Sequence, residues 1–239
     1  MSSRSFVVGI TGASGAAYAP RLLELLGSSG AEIHLIITPW GRRLLKDELG
    51  MSSLDLDVLT RGHADRVRMH NDKDVGAAPG SGSFRHDGMV ILPCSANTLG
   101  RIASGMTENL IQRAAACALK ERRRLILCHR ETPLSLIEIE NMATVTRSGG
   151  IIAPLNPGFY LAPSGISDLI DYMVARILDL LDVPHSLDTN WGDHVDAVSG
   201  DSSPIPSRPN RPNDEHAGGW ERRRTIRCRR PSGCCINRS

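Results

Sequence analysis

The segment Gly9–Gly15, which reads GITGASG, has the residue types of a phosphate-binding turn. It follows the apolar run SFVV and precedes AAYAPRLLELLGSSG, whose apolar residues have helical spacing. A strand, a tight glycine turn and a helix place backbone N–H groups and the positive end of a helix dipole on one anion. The motif therefore predicts a phosphate at the start of the first helix.

Three common phosphate motifs do not account for this turn. A P-loop ends in Gly-Lys-Ser/Thr, whereas Gly15 is followed by two alanines. A dinucleotide fold needs an acid at the end of the second strand, which here ends Ile37-Thr38-Pro39. A short-chain dehydrogenase would need a Tyr-x-x-x-Lys pair, and no tyrosine has that lysine. A mononucleotide or phosphoester site remains, with Ser14 as hydroxyl donor. A plain helix cap is the other interpretation of Ser14.

Polar side chains also follow three later strands. They lie in CSANT (residues 94–98), HRETP (129–133) and LNPGFY (155–160). In an open parallel sheet these strand ends meet at one edge, where ligands bind. The pair Arg130-Glu131 directly after a buried strand is costly unless it is paired or serves a ligand. The sequence thus favours a charged ligand, with a structural ion pair as the alternative.

Strands and helices alternate along the body of the chain. Strands are predicted at residues 6–10, 32–38, 88–93, 124–128 and 150–154, and residues 51–87 are expected to be irregular. The fold class is therefore α/β, a doubly wound, flavodoxin- or Rossmann-like parallel sheet between two helical layers. One helix is predicted to begin at Pro133 and another to start near Asn109.

Composition divides the chain into a body, residues 1–188, and a tail, residues 189–239. The tail is rich in Pro, Ser and Arg, with nine basic and six acidic residues, and is expected to be disordered. Cys94, Cys117 and Cys128 lie in apolar contexts and are expected to be reduced and buried. No apolar run reaches the roughly 18 residues of a membrane span, and no signal-peptide pattern is present, so a cytoplasmic protein without membrane or nucleic-acid partners is expected.

Four longer stretches carry a resemblance to a known family. They are GITGASGAAYAPRLLELL, SGSFRHDGMVILPCSANTLGRIASG, ALKERRRLILCHRETPLSLIEIENM and PGFY with SDLIDYMVARILDLL. The chain resembles the flavin prenyltransferases of the UbiX and phenylacrylic acid decarboxylase accessory type, within the homo-oligomeric flavin-containing decarboxylase-like flavoproteins. The resemblance covers residues 6 to about 184, and the RETPL and ENM segments are its most specific parts.

The resemblance implies that the protein joins a dimethylallyl group from dimethylallyl phosphate to reduced FMN, without a metal. It implies a prenylated-FMN-dependent decarboxylase as recipient and a large homo-oligomer such as a dodecamer. The implied FMN-binding residues are Gly12, Ala13, Ser14, Thr38, Ser95, Ala96, Asn97, Thr98 and Arg130. The implied prenyl-phosphate site is Lys120, Arg130, Glu131, Tyr160 and Arg176. Glu131, Ser14 and Lys120 are the implied catalytic residues, and Trp40, Phe84 and Phe159 are candidates to face the allylic cation.

Two other functions stay open at this point. CSANT departs from the family's commoner CSMKT and is similar to a segment of the peptidyl-cysteine decarboxylases, which share the fold. Those enzymes use a histidine after the second helix, whereas His63 and His70 are interpreted here as exposed loop residues. The third function is a non-catalytic flavin-binding subunit of an aromatic acid decarboxylase. Retention of the second phosphate site argues against it.

Overall fold

The computed structural model describes residues 3–159 and 162–187. Six parallel strands form one sheet in the order β3-β2-β1-β4-β5-β6, which is the doubly wound Rossmann order. The strands are β1 Ser5–Ile10, β2 Glu32–Ile37, β3 Val67–His70, β4 Gly88–Cys94, β5 Leu125–His129 and β6 Ile151–Ile152. This architecture confirms the predicted fold class. The predicted tail, residues 189–239, lies outside the described residues.

Helices cover both faces of the sheet. They are α1 Tyr18–Ser28, α2 Pro39–Leu49, α3 Leu56–Thr60, α4 Ala96–Ala103, α5 Leu110–Lys120, α6 Leu136–Arg147 and α7 Ile166–Leu180. Two short 3₁₀ turns span Ala64–Arg66 and Ala78–Gly80. Helices α1 and α7 pack together on one face, and α4 packs with α5 and α6 on the other.

The core follows from strands that are buried on both faces. Side chains alternate along each strand, so Phe6 and Val8 of β1 join the α1 and α7 layer, whereas Val7 joins the α4 and α5 layer. β4 shows the same pattern, and all its seven residues are buried. A central strand such as β4 therefore needs apolar residues at successive positions, because both of its faces are buried. Cys94, Cys117 and Cys128 are buried free thiols within this core, as expected.

Two helix starts show how local side chains set the boundaries. Asn109 caps α5 as predicted, since its Oδ1 accepts from the Gln112 amide at 3.0 Å. The prediction that a helix begins at Pro133 is wrong, because α6 begins three residues later. Ser135 and Glu138 form a capping box that fixes the first turn there. Residues 130–135 therefore form a loop between β5 and α6.

The expectation of irregular structure over residues 51–87 is also wrong in part. This segment holds α3 and the strand β3, which pairs in parallel with β2. β3 is an edge strand that pairs on one side only, so its sequence VRMH can be more polar than that of a central strand. His63 and His70 are half-buried, and are not exposed as expected. His63 bonds Ser28 and His70 bonds His34.

Neighbouring strands β1 and β4 lead to opposite halves of the sheet. From β1 the chain passes to β2, and from β4 it passes to β5. The loops after these two strands therefore diverge and leave a crevice, which is where doubly wound folds bind ligands.

No helix of the described ranges is long and apolar enough to cross a membrane.

A histidine cluster lies beneath the α4 and α5 layer. His34 is only 2% exposed, its Nδ1 lies 2.9 Å from Nε2 of His70, and its ring packs edge-on against Phe84. Burial lowers the pKa of His34 to about 4; the nearby Glu32 carboxylate opposes the shift, while His70, Arg68 and His86 add to it. His34 is consequently neutral in the folded protein at pH 7.

We expect acid to destabilise the fold through His34. Unfolded His34 takes up its proton near pH 6.5, but the folded protein resists protonation until about pH 4. The unfolded chain therefore binds more protons in this window, and the unfolding free energy falls by roughly 3 kcal/mol as the pH drops through it. Denaturant unfolding of wild type and His34→Gln from pH 7.5 to 4 tests this. The variant should lose less stability over the window, whatever its stability at pH 7.5; equal losses would contradict it.

Candidate functional site

The carboxyl edge of the sheet gathers most of the predicted site residues. Because all strands are parallel, the loops after β1, β4, β5 and β6 reach the same edge. Four groups of predicted residues lie there: 12–14 after β1, Thr38 after β2, 95–98 after β4, and 130–131 after β5.

The glycine turn holds an anionic oxygen. Oε2 of Glu48 accepts from the amides of Gly15 at 3.0 Å and Ala16 at 2.8 Å, and the Ser14 hydroxyl also bonds this carboxylate. Gly15 has a φ of +114°, a backbone conformation that residues with a side chain rarely adopt. The turn is therefore shaped so that its N–H groups converge on one oxyanion, as the sequence predicts.

The pKa of Glu48 shows that the groups around its carboxylate favour a negative charge. Burial raises the pKa of Glu48, but the bonds from Ala16, Ser14 and Gly15 and the charge of Arg130 together lower it below the ordinary value. Arg130 is thus close enough to act on the same anion as the glycine turn. Sequence reasoning missed Glu48, since it lies in α2, outside the glycine motif.

Gly12 and Thr38 bring α2 against the glycine turn. A Cβ on Gly12 would lie 2.5 Å from Cβ of Trp40, so only glycine fits this approach. The Thr38 hydroxyl caps α2 by accepting from the Gly41 amide at 3.0 Å, and it donates to the Ile10 carbonyl at 3.3 Å. Thr38 therefore fixes the entry of α2, and its predicted contact with a flavin stays a prediction.

Thr11 ties the loops after β1 and β4 together. Its amide and hydroxyl both donate to the Pro93 carbonyl, at 3.2 and 2.7 Å, and its Oγ1 accepts from the Ser95 amide at 2.9 Å. Thr11 is 1% exposed, so this tie is buried. Sequence reasoning missed it, although a threonine directly after a buried strand was the available signal.

The CSANT segment forms the start of α4. Ser95 is the N-cap, and its Oγ accepts from the Thr98 amide at 3.3 Å and lies 3.0 Å from the Thr98 hydroxyl. Asn97 accepts from Nε of Arg101 at 3.1 Å. The helix N-terminus thus faces the carboxyl edge beside the glycine turn, where its dipole favours an anion.

Arg130 and Glu131 line an open cleft of about 390 Å³ that also contains Leu155 and Asn156. Leu155 would lie 3.4 Å from a Cβ on Gly15, so the cleft adjoins the glycine turn. Oε1 of Glu131 accepts from the Thr132 amide at 3.1 Å. The Arg130 guanidinium makes no hydrogen bond or ion pair within the described ranges, which leaves it free for a ligand.

Two other predicted residues, Lys120 and Arg176, are not brought to this cleft within one protomer. Lys120 ends α5 at the amino edge, where its Nζ pairs with Glu121 at 3.1 Å. The five residues of β5 separate the two edges by roughly 15 Å. Arg176 is exposed, pairs with Asp179 at 3.0 Å, and lies in the half of α7 nearer the amino edge. Tyr160 lies outside the described residues.

Comparison with known proteins agrees with the geometry. The Flavoprotein family model matches residues 1–178. The chain is 42% identical over 195 residues to the flavin prenyltransferase UbiX of Halalkalibacterium halodurans, covering 80% of this chain and 95% of that protein. The chain belongs to the flavin prenyltransferase family. Mitochondrial flavin prenyltransferase PAD1 of Saccharomyces cerevisiae is also 42% identical, over 79% of this chain and 75% of that protein.

Solved structures of the family superpose on the described fold. A crystal structure of AnUbiX (PadA1) in complex with FMN and dimethylallyl pyrophosphate has a TM-score of 0.70 at 44% identity, covering 76% of this chain and 94% of that one. A dodecameric FMN-dependent UbiX-like decarboxylase from Escherichia coli O157:H7 has a TM-score of 0.71 at 37% identity, covering 78% and 98%. The cypemycin decarboxylase CypD shares 17% identity at a TM-score of 0.52, which shows the fold alone.

We expect Gly12→Ala to destabilise this family member. The added Cβ would lie 2.5 Å from Trp40, and such overpacking costs about 1–3 kcal/mol. Gly100→Ala in α4 is the matched control, because its Cβ would meet only Asn141 at 3.4 Å and alanine favours a helix by up to about 1 kcal/mol. Denaturant unfolding checks both. Equal effects of the two substitutions would rule out the close approach at Gly12.

Proposed function

We propose that this protein is a flavin prenyltransferase that transfers a dimethylallyl group from dimethylallyl phosphate to reduced FMN. One observation carries the proposal: two amides of the glycine turn converge on one carboxylate oxygen of Glu48, and the charge of Arg130 acts on the same carboxylate. A phosphate presents the same kind of oxygen as the Glu48 carboxylate. The family membership then names the flavin and the prenyl donor.

The carboxyl edge fits FMN. The glycine turn already binds an oxyanion, and the capped start of α4 adds a second set of N–H groups nearby. Gly12, Ala13, Ser14, Thr38, residues 95–98 and Arg130 are the residues that would hold the flavin. Reduced FMN, when bound, supplies the nucleophilic atoms that accept the dimethylallyl carbon.

The departing phosphate needs positive charge and donors around it. Breaking the allylic C–O bond leaves the electron pair on the phosphate, so cations stabilise the transition state. Arg130 is free for this role at the cleft, with Ser14 as a hydroxyl donor beside it. Lys120, Tyr160 and Arg176 complete the site in this proposal.

Aromatic faces would stabilise the allylic cation left behind. Trp40 lies against the glycine turn and is 73% exposed, and Phe159 follows β6 at the same edge and is 70% exposed. Phe84, by contrast, precedes β4 and packs on His34. We therefore assign this role to Trp40 and Phe159 and withdraw Phe84.

Glu131 is our proposed base for the proton that leaves the flavin during ring closure. We expect Glu131→Gln to bind FMN as wild type does and to slow completed ring formation by about 10²- to 10⁴-fold, because proton transfer loses its acceptor. Glu140→Gln is the matched control, since it alters an exposed α6 carboxylate. Flavin titration and product mass spectrometry measure the two effects. Wild-type rates for Glu131→Gln would exclude this role.

Lys120 would reach the cleft from a second copy of the chain. A prominent group of exposed apolar side chains lies on and beside α6 at the cleft: Leu134, Leu136, Ile137 and Ile139. Such surfaces mark protein interfaces, and the E. coli neighbour is described as dodecameric. We therefore propose a homo-oligomer whose sites combine Arg130 and Glu131 of one subunit with Lys120 of another.

Coassembly of two impaired variants tests this shared site. Lys120→Ala and Glu131→Gln are each expected to be nearly inactive alone. Co-expressed in one oligomer, they should recover up to about one quarter of wild-type activity, since half of the neighbours supply each intact residue. Separately purified variants mixed without subunit exchange are the control. Activity no higher than the sum of the two would place Lys120 outside a shared site.

The direct test of the reaction is anaerobic incubation with reduced FMN and dimethylallyl monophosphate, followed by mass spectrometry of the released flavin. We expect a flavin that is heavier by one five-carbon unit, and the pyrophosphate donor is run in parallel. Unmodified flavin with both donors would overturn the proposal in favour of a non-catalytic flavin carrier. Decarboxylation of a peptide with a C-terminal cysteine would favour the cysteine decarboxylase.

The product's destination is a further part of the proposal. A prenylated-FMN-dependent decarboxylase of the UbiD type would take up the modified flavin, because a flavin altered in its ring system needs an enzyme that uses it. The predicted cytoplasmic location stays a prediction.

A further inference from the structure

His129 sits where three loops of the cleft meet. Its Nδ1 lies 3.2 Å from the Cys94 carbonyl, and its own carbonyl accepts from the Leu155 amide at 2.9 Å. The Arg130 amide donates to the same Cys94 carbonyl at 3.3 Å. One residue thus joins the end of β4, the loop after β6 and the start of the loop that carries Arg130 and Glu131.

The far side of the His129 ring faces α6. Nε2 lies 3.5 Å from Oε1 of Glu138, and the two side chains are 1% and 12% exposed. The Cys94 carbonyl and the Glu138 carboxylate are both acceptors, and the His129 ring lies between them. Both atoms are buried and neither makes a hydrogen bond within the described part of the chain, so the 3.5 Å approach between them is the polar contact that each has there.

Helix capping alone does not require this pair. The other carboxylate oxygen, Oε2, accepts from the amide and hydroxyl of Ser135 at 2.8 and 2.9 Å, and that completes the capping box. Oε1 and His129 are therefore additional. Removing one partner of a buried polar pair leaves the other partner unpaired, so this contact resists separation of the two loop ends that it joins.

We propose that His129 and Glu138 form a buried strap that spans residues 130–135 and positions Arg130 and Glu131 for the reaction. His129 anchors the loop where it leaves β5, and Glu138 anchors it where it enters α6. Both are positioning residues, since in the proposed function Arg130 and Glu131 are the residues that contact the ligand. The catalytic consequence rests on the proposed prenyl transfer, whereas the strap itself does not.

Hydrogen exchange tests the strap without any turnover. In His129→Leu and in Glu138→Gln, which keeps a capping side chain, amides of residues 130–135 should exchange at least fivefold faster, with the β1 and β2 amides unchanged. The control is Ser135→Ala, which removes the hydroxyl of the cap and leaves the His129–Glu138 contact. It should speed exchange mainly in the first turn of α6. Unchanged exchange at 130–135 in both strap variants would overturn the proposal.

Kinetics then test positioning. We expect kcat for prenyl transfer to fall at least tenfold in His129→Leu and in Glu138→Gln, and the double variant to be no slower than the slower single one, because both remove the same strap. Ser135→Ala should keep kcat within twofold below its melting temperature. If the loss of kcat in each of the three single variants is proportional to its loss of melting temperature, the His129–Glu138 pair has only a structural role. A wild type that transfers no prenyl group would refute the proposed function and leave the exchange result standing.

Discussion

All six strands in the described part of the chain run in the same direction, and the site depends on that constraint. Apolar side chains on both faces of the sheet require helical cover on both faces, and each connection between successive strands returns the chain to the amino edge. Every loop that leaves a carboxyl end consequently arrives at one edge. Segments as far apart in the sequence as 12–14 and 130–131 lie at the same edge of the sheet for this reason.

The anion site at that edge is formed mainly by backbone. The amides of Gly15 and Ala16 point at one oxygen because Gly15 adopts a left-handed conformation, and Arg130 adds the charge. Glu48 accepts from both amides in the described structure, so the proposed phosphate would replace an acceptor that is already well bonded. The amides of Gly15 and Ala16 are thereby both hydrogen-bonded in the described structure.

The cations of the proposed prenyl-phosphate site are divided between the two edges of a protomer. Arg130 faces the cleft, whereas Lys120 and Arg176 lie toward the amino edge and pair with Glu121 and Asp179. Because α5 and α7 run opposite to the strands, residues at their ends cannot approach a carboxyl-edge ligand of the same chain. In the proposed homo-oligomer, assembly of several copies would resolve this division, and the exposed apolar side chains around α6 would provide a surface for it.

The sequence by itself determined the fold class and the chemistry of the strand ends. The strands β1, β4 and β5 could be predicted because their apolar runs are continuous, and β2 because it is rich in β-branched residues and ends before Pro39. GITGASG and RETP place glycines, a hydroxyl and charged groups at strand ends, where this fold class binds ligands. Only the tertiary structure revealed β3, whose pairing with β2 owes little to its own residues. It also brought Glu48 to the glycine turn and Thr11 to Ser95, and placed Lys120 at the opposite edge. These outcomes depend on contacts between distant segments, and such contacts leave no periodic pattern in the residues that make them.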